Sequence, residues 1–218
     1  MKQRVIFFSG LAADERAFSL LNLENILPVY VNWIDPEKDE KLHHYAMRLV
    51  KDVQISEDDV LLGLSFGGLI AQEIASEIQV KKVILLSSLR SGETLRPLFT
   101  AAQKLHLLDL LNTDLLKSTI TNGAKILLPQ KDKIVKVLVE MMDDFSGEYY
   151  KWAMNQVLHW NGANVHCPVY HVHGDKDEIF PVSLVKDAVI VKGGSHLMVA
   201  VRAAEVSRII RDFIFRRP

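Results

Sequence analysis

The sequence predicts an α/β protein: a mostly parallel sheet of about six strands, flanked by helices and carrying a helical insertion. Three observations predict it. From Arg4 to Leu86, short apolar runs alternate with helical patterns. From about Thr94 to Asn161 only helical periodicity remains. From Val169 onward the alternation returns.

Arg4–Phe8 is a β-branched and aromatic run that ends in Ser9–Gly10, which reads as a buried strand and a tight loop. Asp14 is placed to cap a helix reaching about Glu24, with Phe18, Leu20 and Leu21 on its apolar face. Val29–Val31 reads as a short strand between Pro28 and the Asp35–Pro36 turn. Glu40–Val53 is helical in spacing, through Leu42, Tyr45, Ala46, Leu49 and Val50. Val60–Leu64 is a strongly apolar strand, Phe66–Ile78 a helix and Lys82–Leu86 a further strand.

In the insertion, Leu95, Leu98, Phe99, Ala102 and Leu105 form one stripe. Ile134, Val135, Leu138, Met141, Met142 and Phe145 form a second, and Tyr149, Trp152, Ala153, Gln156, Val157 and Trp160 a third. Gly123 and Gly147 punctuate the stretch. Val169–Val172 and Ala188–Val191 are then strands, and Leu197–Phe215 reads as one long terminal helix.

Composition narrows the function classes. The chain has 218 residues, 49% hydrophobic and 24% charged, which suits a folded domain with a real core. A net charge of -1 argues against non-specific nucleic-acid binding. Arg208, Arg211, Arg216 and Arg217 read as a solvated helix end. The lone Cys167 excludes an intramolecular disulfide and any multi-cysteine zinc site, and reads as a small buried hydrophobe. No apolar run approaches the roughly 20 residues of a membrane span. Lys2 and Arg4 before Val5–Phe8 mimic a secretory leader, but Ser9–Gly10 interrupts the run and Asp14, Glu15 and Arg16 follow. A buried strand and a cytoplasmic location are therefore expected.

The strongest chemical signal is Gly63-Leu64-Ser65-Phe66-Gly67-Gly68. This G-x-S-x-G pattern lies after an apolar strand and before a helix, the context in which it presents a nucleophilic serine on a sharp turn. Gly63 and Gly67 remove side chains that would collide there, and Gly68 allows the helix to lie close to the strand. The helix start behind Ser65 supplies free N–H groups and a positive dipole end. A serine hydroxyl needs a base, and on this turn the chain order is Ser, acid, His. Of the eight histidines, His196 in Gly193-Gly194-Ser195-His196 is the one that follows a plausible acid in the last third of the chain.

The acid falls in His173-Gly174-Asp175-Lys176-Asp177-Glu178, where Asp175, Asp177 and Glu178 compete. Asp175 beside a glycine also suits a tight turn. His171 and His173 read as packing residues, and His43 and His44 as surface helix residues. No metal or cofactor site is expected. The oxyanion of a tetrahedral intermediate needs backbone donors. The N–H of Phe66 and the N–H of Leu11, in the loop after the first strand, are the candidates.

These motifs resemble the α/β-hydrolase fold superfamily, in particular its small capped esterase-like members. The resemblance spans nearly the whole chain and rests on Gly63–Gly68, on His173-Gly174-x-x-Asp177-x-x-x-Pro181 and on Gly194-x-His196. In that family the acid stands three residues after the glycine of the His-Gly pair, which favours Asp177. Relatives carry a helical cap after the strand that follows the elbow helix. The resemblance thus implies a core at 1–91 and 165–218 and a cap at 92–164, roofing an acyl pocket. Three features depart from the pattern: Ser9–Gly10 replaces His-Gly, the first antiparallel hairpin is missing, and the interval from Asp177 to His196 is short.

The implied activity is cleavage of a carboxylic ester or thioester, with Ser65 as nucleophile, His196 as base and Asp177 as its orienting acid. Leu11 and Phe66 would hold the oxyanion. Acyl transfer, lactone opening or C–C cleavage on the same residues is the nearest alternative. A non-catalytic ligand-binding protein of the same fold is a more distant one. The expected partner is a small-molecule acyl ester, with no nucleic acid and no membrane; a homodimer is open.

Overall fold

The computed structural model describes residues 2–90, 112–127, 136–137 and 140–216. Among them are six strands: β1 (Gln3–Phe8), β2 (Ile26–Val31), β3 (Val60–Leu64), β4 (Lys82–Leu86), β5 (Val169–Gly174) and β6 (Val189–Val191). They form one sheet in the order β2-β1-β3-β4-β5-β6, and every neighbouring pair is parallel.

The two faces of the sheet have separate cores because side chains alternate along a strand. Ile6, Phe8, Leu61, Val83 and Leu85 face one way. They pack under α1 (Leu42–Leu49) and α2 (Phe66–Glu77) through Tyr45, Ala46, Leu69, Ile70 and Ile74. Val5, Phe7, Val60, Leu62, Ile84 and Leu86 face the other way. They meet the C-terminal segment through Met198, Val206, Ile210, Phe213 and Ile214. The buried Lys82 is not an exception to apolar packing. Its Nζ donates to the carbonyls of Phe213 and Arg216 at 2.9 and 2.8 Å and so caps the end of the terminal helix.

The insertion after β4 contributes α3 (Thr113–Leu127) and α4 (Gly147–His159). Ser146 caps α4 by accepting from Tyr149 N. Gly147 is a close-approach residue, since a Cβ there would lie 2.6 Å from the Thr113 backbone. The helix is tied to the body by indole donors: Trp152 Nε1 to Glu40 O at 2.8 Å and Trp160 Nε1 to Glu73 Oε1 at 2.6 Å. Tyr149, Tyr150 and Ala153 are buried in the same core as Phe66 and Tyr45. The expected stripe from Leu95 to Leu105, and Ile134, Val135 and Leu138 of the next, lie outside the described residues.

The main differences from expectation lie in four elements. The helix after Asp14 is a single 3₁₀ turn, Glu15–Phe18; Asp14 does cap it, but Asn22 N is then drawn to Ser207 Oγ and the chain runs on toward β2. Strand β2 begins at Ile26 and passes through Pro28, which an edge strand tolerates because no further strand needs its missing N–H. Helix α1 spans Leu42–Leu49 rather than Glu40–Val53: before its start the Glu40 carboxylate is taken up by Arg48 at 2.7 Å and by Glu37 N at 2.8 Å, and past its end Val53 N donates to Val50 O in a turn. The terminal helix is broken at Arg202 (φ -127, ψ 28) into α5 (Met198–Val201) and α6 (Ala203–Phe215). No helix among the described residues is long and apolar enough to cross a membrane.

Candidate active site

The sheet order creates the site. From β1 the chain leaves toward β2 on one side, and from β3 it leaves toward β4 on the other. The loops after β1 and β3 therefore part at the carboxyl ends of two adjacent strands, the usual place for a ligand crevice in a parallel sheet. Gly10–Leu11 lies on one lip and Ser65 on the other.

Ser65 has φ 51 and ψ -117, a conformation that a non-glycine residue adopts only under strain. Its neighbours leave it no alternative. A Cβ on Gly63 would lie 2.3 Å from Gly67 O, and one on Gly67 would lie 2.3 Å from both Phe8 O and Ser9 O. A Cβ on Gly68 would run into Ser88 Oγ. Ser65 N donates to Leu86 O at 2.8 Å, and Ser88 Oγ donates to Ser65 O at 2.7 Å. The glycine reasoning from sequence therefore holds atom by atom; the Ser88 strut had no sequence signal.

His196 Nε2 lies 2.9 Å from Ser65 Oγ. Its Nδ1 lies 2.9 and 3.0 Å from the two carboxylate oxygens of Asp177. With Nδ1–H donated to Asp177, Nε2 is free to accept from the Ser65 hydroxyl. Asp177 Oδ1 also accepts from Ile179 N and Phe180 N at 2.9 and 2.7 Å. Burial pushes the Asp177 carboxyl up, but the bond to and charge of His196, with the Phe180 N–H and His173, outweigh it and hold it below the usual carboxylate range.

Of the three competing acids, Asp177 is thus the one the structure brings to His196. Asp175 has a different task. Its carboxylate accepts from Gly193 N and ties the acid loop to the histidine loop. Lys176 N to Gly194 O at 2.9 Å is a second tie between the same loops. Glu178 is exposed. The short interval before β6 holds one 3₁₀ turn, Val182–Leu184.

His171 and His173 are buried behind the acid, as packing residues should be. Burial and the neighbouring His173 push His171 down to about 3. His173 Nε2 lies 2.8 Å from Phe180 O and 3.5 Å from Asp177 Oδ2, so this ring braces the acid loop. Burial lowers it too, against the pull of the Phe180 carbonyl and Asp177.

Phe66 is the first residue of α2, so its N–H has no partner within the helix. Leu11 N–H donates to no other group among the described residues. The loop that carries it is closed by Ser9 Oγ donating to Ala13 O at 2.6 Å and by Ala13 N donating to Gly10 O at 3.1 Å. The left-handed residue of this turn is Ala12 (φ 55). Gly10 lies beside the nucleophile: a Cβ there would be in ordinary contact with Ser65 Cβ, at 3.7 Å. Trp33 is a contact that sequence reasoning missed. It follows β2, packs on Phe66 at 5.5 Å and donates its Nε1–H to Gly10 O at 3.1 Å. Its place at the carboxyl end of an expected strand was the available clue.

Such an arrangement can deprotonate a hydroxyl, hold the resulting imidazolium and offer N–H groups to a developing negative oxygen.

No family model matches the chain, and no curated protein matches it in sequence. In structure it is similar to a hydrolase from Pseudomonas aeruginosa, with a TM-score of 0.75, covering 99% of this chain and 91% of that one. It is also similar to an esterase from Exiguobacterium antarcticum, with a TM-score of 0.70, covering 98% of this chain and 92% of that one. An enol-lactonase from Burkholderia xenovorans gives a TM-score of 0.64 over 99% of this chain and 92% of its own. Each is 14% identical to this sequence. At that identity the likeness establishes a shared fold.

Proposed function

The chain has the α/β-hydrolase fold, and from that premise we propose that it is a serine hydrolase cleaving a carboxylic ester or thioester. The observation that carries the reading is the continuous line Asp177–His196–Ser65, with both links at 2.9 Å, ending on a strained turn. Ser65 Oγ attacks the acyl carbon while its proton passes to His196 Nε2. Asp177 fixes the Nδ1–H tautomer and stabilises the imidazolium. The N–H groups of Leu11 and Phe66, with the positive end of α2, hold the oxyanion. Collapse expels the alkoxide or thiolate, which takes the proton from His196. Water activated by the same imidazole then releases the acid and regenerates Ser65. The cycle needs no cofactor.

Residues 92–164 form the cap in this reading, over a core of 1–91 and 165–218. Trp33 and Trp152 both approach Phe66, at 5.5 and 6.0 Å, and the acyl group this reading favours is apolar. Lactone opening is the second reading. The same attack applies, and one structural neighbour is an enol-lactonase. There the leaving alkoxide stays joined to the acyl group, so mass analysis of products separates the two.

The test is intact mass after exposure to a fluorophosphonate. One adduct on the wild type and none on Ser65→Ala is the expected result. The Ser65→Ala variant should lose roughly a factor of 10⁶ in kcat on p-nitrophenyl esters. A folded wild type that takes no adduct and turns over no ester overturns the proposal.

A further inference from the structure

We infer that Trp33 is a positioning residue for the oxyanion site: its indole N–H holds the Gly10 carbonyl and thereby aims the Leu11 N–H at the reacting oxygen. The inference rests on the serine-hydrolase reading above and deepens it.

Gly10 C=O and Leu11 N–H belong to one planar trans unit, so they point in opposite directions. Fixing the carbonyl fixes the N–H. That carbonyl accepts from two donors, Ala13 N and Trp33 Nε1, each at 3.1 Å. Its back side is therefore fully engaged, and the Leu11 N–H is left on the opposite side without a bond to any described residue. Gly10 itself lies against Ser65, as the 3.7 Å distance from a built Cβ to Ser65 Cβ shows.

The turn would not hold this orientation alone. Its left-handed residue is Ala12 (φ 55), where glycine or asparagine is favoured, so the Gly10–Ala13 turn is intrinsically costly. Ser9 Oγ closes the turn from within, and Trp33, in the segment after β2, ties it from outside. The indole that supplies it is itself held by rings: Phe66 at 5.5 Å and Tyr45 at 6.4 Å. One side chain thus touches both proposed oxyanion donors, the loop of Leu11 through a hydrogen bond and Phe66 through ring packing. A donor held in place before the reaction costs no reorganisation during it.

The experiment compares wild type with Trp33→Phe, which keeps an aromatic ring and removes the N–H. Hydrolysis of p-nitrophenyl butyrate, fluorophosphonate labelling and inhibition by an alkyl trifluoromethyl ketone are measured on both. A kcat lower by about tenfold or more is expected, short of the ~10²–10³ that deleting an oxyanion donor outright costs. KM should change little. Affinity for the ketone, which forms a tetrahedral oxyanion on the serine, should fall by the same factor as kcat. A merely structural role would lower the fraction of labelled enzyme and leave kcat per labelled site unchanged, which overturns the inference. An active wild type whose variant keeps its kcat and its ketone affinity also overturns it, leaving the hydrolase reading intact. A wild type that neither labels nor turns over sinks both. If Trp33→Phe does not fold, β-(3-benzothienyl)alanine at position 33 keeps the indole shape without the N–H, and the same outcomes apply.

Discussion

The nucleophile turn and the acid–histidine loops meet at one hydrogen bond, yet they are built differently. Ser65 is forced into its strained conformation by six consecutive residues, Gly63–Gly68, packed so tightly that no Cβ fits at three of them. Asp177 and His196 come from two loops nineteen residues apart in sequence, joined through Asp175, Gly193, Lys176 and Gly194. The first region is fixed by steric exclusion. The second adds polar ties to one such exclusion, since a Cβ on Gly174 would run into the Gly194 backbone. Exclusion fails on a change of volume, whereas the polar ties fail on a change of charge or donor.

Three substitutions sharpen this contrast. The largest effect is expected for Asp177→Asn. The amide can still accept from Ile179 and Phe180, but its NH₂ faces Nδ1 and enforces the wrong tautomer. Steady-state kinetics should show kcat lower by about 10⁴ with a nearly unchanged melting temperature. Intermediate kinetics within tenfold of wild type would mean that Asp177 does not orient the base.

Gly67→Ala should act the other way, on folding rather than on chemistry. Its Cβ would meet the backbone of Phe8 and Ser9, which cannot yield without displacing β1. A loss of about 3 kcal/mol in urea unfolding is expected, at the upper end for overpacking. A stable Gly67→Ala protein would show the turn to be looser than its contacts imply.

The third effect is a pH dependence. The native His171 ring stays neutral down to about 3. The unfolded ring binds a proton near its ordinary value of about 6.5. Across that window the unfolded state holds more protons, so stability rises with pH and falls as pH drops. The slope is about 1.4 kcal/mol per pH unit for one group. Asp177, held below its ordinary value, adds in the same direction at pH below about 4. Urea midpoints between pH 4 and 7 should therefore climb with pH, and His171→Leu should flatten the climb. An equally steep variant would assign the proton uptake elsewhere.

Much of this was legible in the sequence, for reasons that differ by element. β1, β3 and β4 are short apolar runs buried on both faces, and such runs have few alternatives. The terminal helix was legible as a helix, but its break at Arg202 was not, since no proline or glycine marks it. Pro28 misled in the other direction. It suggests a strand boundary, and only the edge position of β2 explains why the strand runs through it.

The candidate site divides along the same line. Ser65, Phe66 and the glycines around them follow from spacing alone, because a strand, a sharp turn and a helix are all local. Asp177 against Asp175 could not be decided by the residues themselves: both are aspartates in one loop, and what separates them is which carboxylate meets His196 and which meets Gly193. The tie from Trp33 to Gly10 belongs to the same class, since it joins the ends of two strands that become neighbours only when the sheet forms. Sequence determined the elements and the nucleophile, where the constraint is steric and short in range. Tertiary structure decided the partners, because a hydrogen bond between distant segments depends on distance and direction, which no spacing along the chain encodes.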